Sequence, residues 1–136
     1  MLRTLLFLLL LPALPQAWAH NAAQVRSEVQ ALLGWVEQGG CSFMRNGSWH
    51  SSAEARKLLE HKFDEAMRDP GSMPSTEHFI AKLASRSSMS GKPYWVRCGD
   101  AKLVESGPWL LGKLAELRLT ADKPAANKPA AHPPSR

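Results

Sequence analysis

Residues able to do chemistry are few in this 136-residue chain, and their spacing is loose. Ser85, Ser87, Ser88 and Ser90 cluster just ahead of Gly91-Lys92-Pro93. A serine nucleophile needs a base and a sharp, exposed turn. No G-x-S-x-G elbow surrounds any of these serines, and no lysine stands three residues after one. Serines placed between a helix and such a turn commonly satisfy backbone groups instead. A small hydrolase using the Ser87–Ser90 loop with His50 or His78 is the enzymatic alternative. Five histidines lie at positions 20, 50, 61, 78 and 132, and none forms an H-x-x-x-H pair, although His61 and Glu65 can share a helix face. Met44 with His50 would suit copper outside the cytoplasm, but nothing in the spacing demands a metal. A metal-binding protein is the third alternative. Gly107-x-x-x-x-Gly112-Lys113 imitates a phosphate-binding loop, yet Leu114 stands where a Ser or Thr must ligate Mg²⁺. Pro108 also removes an amide there, and an apolar helix explains the match. The sequence therefore assigns no catalytic residue, cofactor or metal ligand, and the preferred reading is a non-enzymatic binding or accessory module.

Where the chain works follows from its ends. Arg3 precedes an apolar run from Leu5 to Leu14, broken by Pro12 and Pro15, and Ala17-Trp18-Ala19 presents small residues where a signal peptidase reads. This pattern predicts a signal peptide over 1–19, cleavage after Ala19, and a periplasmic or secreted product. About ten apolar residues are too few to span a bilayer, and no later segment approaches a membrane span. At the other end, ADKPAANKPAAHPPSR repeats Lys-Pro-Ala-Ala and offers nothing large and apolar to bury. It reads as a disordered Lys/Pro/Ala-rich tail over 121–136. The formal net charge is +5. One unit (Arg3) lies in the leader and a net two lie in the tail (Lys123, Lys128 and Arg136 against Asp122), which leaves +2 for the domain between. Such a balance carries no phosphate-tracking stripe and excludes a nucleic-acid partner.

The two cysteines of an exported chain predict a disulfide between Cys41 and Cys98. The absence of a C-x-x-C spacing makes it structural rather than redox-active.

Apolar periodicity predicts the elements that position these residues. Val25, Val29, Leu32, Leu33 and Val36 mark a helix over 22–38, with Asn21 and Gln24 as a capping box and Gly39-Gly40 as its stop. Asn46-Gly47 predicts a two-residue hairpin turn, which pairs Arg45 with Ser48, Met44 with Trp49 and Phe43 with His50. Ser51 and Glu54 cap a second helix along Ala55, Leu59, Phe63 and Ala66, with Lys62 inside that stripe. A third, shorter helix starts near Ser75-Thr76. Tyr94–Cys98 and Ala101–Val104 read as strands, and a last helix from Gly107-Pro108 buries Leu110, Leu111, Leu114 and Leu117. The order indicates a single α+β domain over 20–120: a small antiparallel sheet of one or two hairpins, packed by three to four helices and fastened by one disulfide.

Phe43-Met44-Arg45-Asn46-Gly47, then Glu54-Ala55, Leu59 and Lys62, then Phe79-Ile80 and Ala84 through Tyr94 follow one another at a recognisable spacing. With these blocks the chain resembles the YfeK-like family of small exported bacterial proteins, a domain of unknown function, over roughly Val25 to Leu117. It departs at Leu58, where the family pattern has histidine. The resemblance implies a Gram-negative envelope protein and supplies no activity. Within the resembling blocks Arg45, Lys62, Ser88 and Tyr94 form a candidate ligand or partner site, able to receive a carboxylate or other anion if the segments converge. Met44, Trp49, Trp95 and Arg97 form a candidate aromatic-basic face on the sheet. The partner expected is an unknown envelope protein or an anionic cell-wall polymer.

Overall fold

The computed structural model describes residues 16–123, with side chains from Asn21 onward. The leader expected over 1–19 and the tail expected over 121–136 therefore lie outside the described residues, apart from helical backbone at 16–19 and the positions 121–123.

Helix α1 spans Gln16–Gln38. It starts before the expected position because nothing in the alanine-rich stretch ahead of Val25 interrupts it. Asn21 is thus inside the helix rather than capping it, and its Nδ2 donates to the Pro74 carbonyl at 2.6 Å. Gly40, at φ 62°, turns the chain into strand β1, Cys41–Arg45. Asn46 and Gly47 both hold positive φ (50° and 81°), as a type I′ turn requires, and lead to β2, Ser48–His50. The register is the one this turn dictates: Phe43 faces His50, Met44 faces Trp49 and Arg45 faces Ser48. Ser51 and Glu54 make a reciprocal capping box at the start of α2, Ser52–Ala66.

A short α3, Thr76–Phe79, is capped by the Ser75 hydroxyl, which accepts from the His78 amide at 3.0 Å. It continues as a π-helical turn over Ile80–Ala84, where the Ser85 hydroxyl donates to the Ile80 carbonyl five residues back at 2.6 Å. Strands β3, Trp95–Cys98, and β4, Val104–Glu105, precede helix α4, Ser106–Ala121. Among the described residues the fold is α+β, with four α-helices and one antiparallel sheet in the order β2-β1-β3-β4. Two hairpins are joined where β1 pairs β3, and there Cys41 faces Cys98 and the two form the disulfide. Among the described residues no helix is long and apolar enough to cross a membrane.

One face of the sheet is covered. Phe43 and Val96 point into a core with Val29, Leu32, Leu33 and Val36 of α1, Leu59 and Phe63 of α2, Phe79 and Ile80, and Leu110 and Leu114 of α4. Leu111 does not join them; it is 46% exposed. Leu110 and Leu114 already define the inward stripe, and each residue turns the helix by about 100°, which carries Leu111 out of it.

Two features fix the helices against one another. The first is a buried carboxylate. Glu28 of α1 receives the Arg118 guanidinium at both oxygens, Nε to Oε1 and Nη2 to Oε2, each 3.0 Å. The buried Thr76 hydroxyl also donates to Glu28, and Arg118 reaches on to Glu77. The Arg118 hydrogen bonds hold both carboxyls below their ordinary range, against the opposing push of burial on each. A depressed folded-state pKa contributes stability above the unfolded value, about 4.3 for glutamate, and that stability is lost as pH falls through the folded value. Urea midpoints measured from pH 7 down to pH 3 should therefore drop below about pH 4.3, and Arg118→Met should flatten that drop. A wild-type midpoint that stays level across this window would refute the coupling.

The second feature is close packing at Gly107, where α4 begins. A Cβ there would stand 2.5 Å from the Ser85 Oγ and 3.2 Å from the Ser85 Cβ. Gly107→Ala is expected to destabilise by about 1–3 kcal/mol through overpacking, and Ser85→Ala in the same chain should recover part of the loss. Chemical denaturation of the two variants checks this. Equal losses in the single and double variants would refute the steric cause.

Candidate functional site

The pleat alternates side chains across the sheet, so Cys41, Phe43 and Arg45 of β1 share its covered face. At the hairpin end of this face the helices do not close over the strands. A cleft of about 190 Å³ remains between β1, β2 and the first half of α2. Its walls are Phe43, Met44, Ala55, Leu58 and Leu59, and its polar members are Arg45, His50, Glu54, Tyr94 and Ser106.

Tyr94 is fixed in the floor. Its amide donates to the Ser85 carbonyl and its carbonyl accepts from the Ser106 amide, both at 2.9 Å, and the residue is buried. The ammonium of the half-buried Lys62 donates to the Tyr94 hydroxyl oxygen at 2.8 Å and lies 5.3 Å from the ring centroid. An ammonium has no acceptor, so the phenolic oxygen is the acceptor in this pair and its own hydrogen points elsewhere. The lysine inside the apolar stripe of α2 thus polarises Tyr94.

Arg45 is the unusual member. Its Nε is buried and, alone among buried side-chain polar atoms of the described residues, has no hydrogen-bond partner. Leaving a buried donor unsatisfied costs about 1–3 kcal/mol, more for a charged group. Glu54 does not relieve it: its Oε2 accepts from the Ser51 amide at 2.8 Å and from the Ser51 hydroxyl at 3.0 Å, and neither of its oxygens bonds Arg45. The Ser51 amide, then the hydroxyl, holds the Glu54 carboxyl below its ordinary range, with His50 adding a smaller effect of the same sign.

Of the four residues singled out in the sequence, Arg45 and Tyr94 line the cleft and Lys62 joins them through the Tyr94 hydroxyl. Ser88 stands apart: it is exposed, on the turn that Ser87 organises. Ser87, not Ser88, faces inward at 2% exposure. Its Oγ accepts from Asn46 Nδ2 at 3.4 Å and from the amides of Met89 and Ser90 at 3.3 and 3.4 Å. Ser90 Oγ donates to the Asn46 Oδ1. The serine loop therefore latches the hairpin turn that carries Arg45, and its buried hydroxyl is engaged with amides rather than with a base. His50 lines the cleft, while His78 meets Ser75 through its backbone amide. Among the described residues no group of three His, Cys, Asp or Glu side chains is placed to hold a metal ion.

The opposite sheet face carries Met44, Trp49, Trp95 and Arg97, as the register requires. Arg97 sets its guanidinium 4.7 Å from the centroid of the Trp49 ring, which remains 45% exposed. Met44, placed by its register on this outer face, also contributes to the cleft wall. Sequence reasoning missed Ser106, the α2 wall of the cleft and the latch through Ser87. The strand alternation Cys41-Phe43-Arg45 was the available signal that Arg45 points inward.

Comparison with known proteins places these residues in a family. Over 87 residues, which are 64% of this chain and 68% of the other, the sequence is 36% identical to the uncharacterized protein YfeK of Salmonella typhimurium strain LT2. No solved structure matches the chain significantly. Residues 23–118, from α1 almost to the end of α4, match the family of unknown function DUF5329. The matched stretch holds every residue of the cleft and both cysteines, and the chain belongs to the DUF5329 family.

Proposed function

We propose that the protein is an exported, non-enzymatic binding module of the bacterial envelope, and that its cleft receives an anionic group of a ligand or partner. The observation that carries this reading is the desolvated Arg45 Nε–H, which has no partner although Arg45 lines a largely apolar cleft. A fold that leaves such a donor unpaired in the free state gains the missing hydrogen bond when an acceptor enters. The Tyr94 hydroxyl, already accepting from Lys62, supports the same reading as a second donor.

Export rests on the apolar leader and the Ala17-Trp18-Ala19 cleavage pattern. Expression of the full chain in a Gram-negative host should give a product in the periplasmic or medium fraction whose mass begins at His20. A full-length cytosolic product would contradict export. For the site, a titration of the mature protein with small carboxylates, followed in ¹H–¹⁵N spectra that include the arginine Nε–H, should move the Arg45 signal saturably. Neutral amides of the same acids should leave it in place. Equal effects of acid and amide would remove the anion site.

A further inference from the structure

Resting on the anion-site reading, we infer that the ligand is a monocarboxylate carrying an apolar tail about the size of a leucine or phenylalanine side chain. Three observations converge on that class. First, Arg45 is the one arginine or lysine in the cleft lining, and Tyr94, Ser106 and His50 supply the other donor groups there. A single guanidinium fork matches the two oxygens and one charge of a carboxylate, whereas a phosphate dianion asks for more positive charge. The Glu54 carboxylate in the cleft lining further disfavours a doubly charged guest.

Second, half of the lining residues are apolar. Phe43, Ala55, Leu58 and Leu59 offer no hydrogen bond to a sugar or a polar chain. Leu58 matters most here, because a histidine at that position would add a polar group to the wall. Third, the size is limiting. An apolar cavity near 150 Å³ holds benzene; the 190 Å³ of this cleft covers a branched or aromatic tail and a carboxylate, and the rest of a longer chain would run out into solvent. The same chemistry is offered by a free branched or aromatic acid and by the carboxyl terminus of a peptide ending in an apolar residue.

The test is calorimetric titration of the mature protein with acetate, inorganic phosphate, 4-methylpentanoate, N-acetyl-leucine and the amides of the last two. Each buried methylene strengthens binding about fourfold, so at least one tailed acid should bind about tenfold or more tighter than acetate. Both amides should bind at least tenfold more weakly than their acids. Arg45→Met should abolish the difference between acid and amide, and Tyr94→Phe should weaken the acids several-fold; a ¹H–¹⁵N spectrum verifies that each variant is folded. Tighter binding of 4-methylpentanoate assigns the site to free acids, and tighter binding of N-acetyl-leucine assigns it to peptide carboxyl termini. Acetate or phosphate binding as tightly as the tailed acids would overturn the ligand class while leaving the anion site in place. Amides binding as well as acids, or no saturable binding at all, would overturn both.

Discussion

Replacing Cys41 and Cys98 together by alanine should lower the unfolding free energy by about 4 kcal/mol. The bridge closes a sequence separation of 57 residues, and constraining a loop of that length in the unfolded chain is worth about 4 kcal/mol in the chain-entropy model. For a domain near 100 residues this is a large share of total stability, and it corresponds to a fall in Tm of about 15–30 °C. The position of the bridge matters as much as its loop. It ties β1 to β3, the pairing through which the two hairpins become one sheet, and Phe43 and Val96 enter the core from the same pairing. Thermal and urea unfolding of the oxidised protein, the reduced protein and the double variant measure the effect. A loss under about 1 kcal/mol would mean that packing alone holds the hairpins together.

The second large effect is expected at Phe79. Its side chain is fully buried and meets Phe63 edge to face, with ring centroids 5.5 Å apart. It ends α3 just where the wider turn over Ile80–Ala84 begins, so truncation there empties the core where α3 meets α1 and, through Phe63, α2. Phe79→Ala should cost about 3–5 kcal/mol, the range for deleting a buried aromatic ring. Leu111→Ala, at an exposed position on α4, should change stability by less than about 0.5 kcal/mol. Chemical denaturation of both variants separates the core from the surface. Similar small losses at both positions would contradict the packing described for Phe79.

These residues also show what the sequence disclosed. The hairpin was legible because Asn46-Gly47 admits few backbone solutions, and a two-residue turn fixes the register of everything it joins. The second helix was legible because Ser51 and Glu54 satisfy each other locally. The α+β class and the Cys41–Cys98 bridge followed from periodicity and cysteine chemistry, and both are present. Less was readable where the cause is non-local. Glu28 looks like a surface residue of an amphipathic helix, and only the arrival of Arg118 from 90 residues away allows it to be buried. Helix α1 starts earlier than its apolar stripe because a stripe marks where a helix is packed, not where it begins.

The candidate site divides in the same way. Arg45 and Tyr94 were recognisable as residue types, and Lys62 stood out inside an apolar stripe. Their convergence depends on the long-range pairing of β1 with β3 and on the Tyr94–Ser106 backbone bond. Ser88 belongs to the candidate set through its place in the resembling blocks, among four clustered serines. Which serine turns inward is decided by the tight turn between Ser87 and Gly91, closed by the Gly91 amide on the Ser87 carbonyl at 2.9 Å.

The central claim is that Arg45 is held unpaired for an incoming anion, at a cost to the free protein. Thermal unfolding of the wild type and of Arg45→Met, each with and without saturating 4-methylpentanoate, tests it most directly. The account predicts that the unliganded variant melts no lower than the wild type, because methionine fills a similar volume without a desolvated donor, and that the acid raises the Tm of the wild type alone. A variant that melts several degrees lower, yet is still raised by the acid, would contradict it.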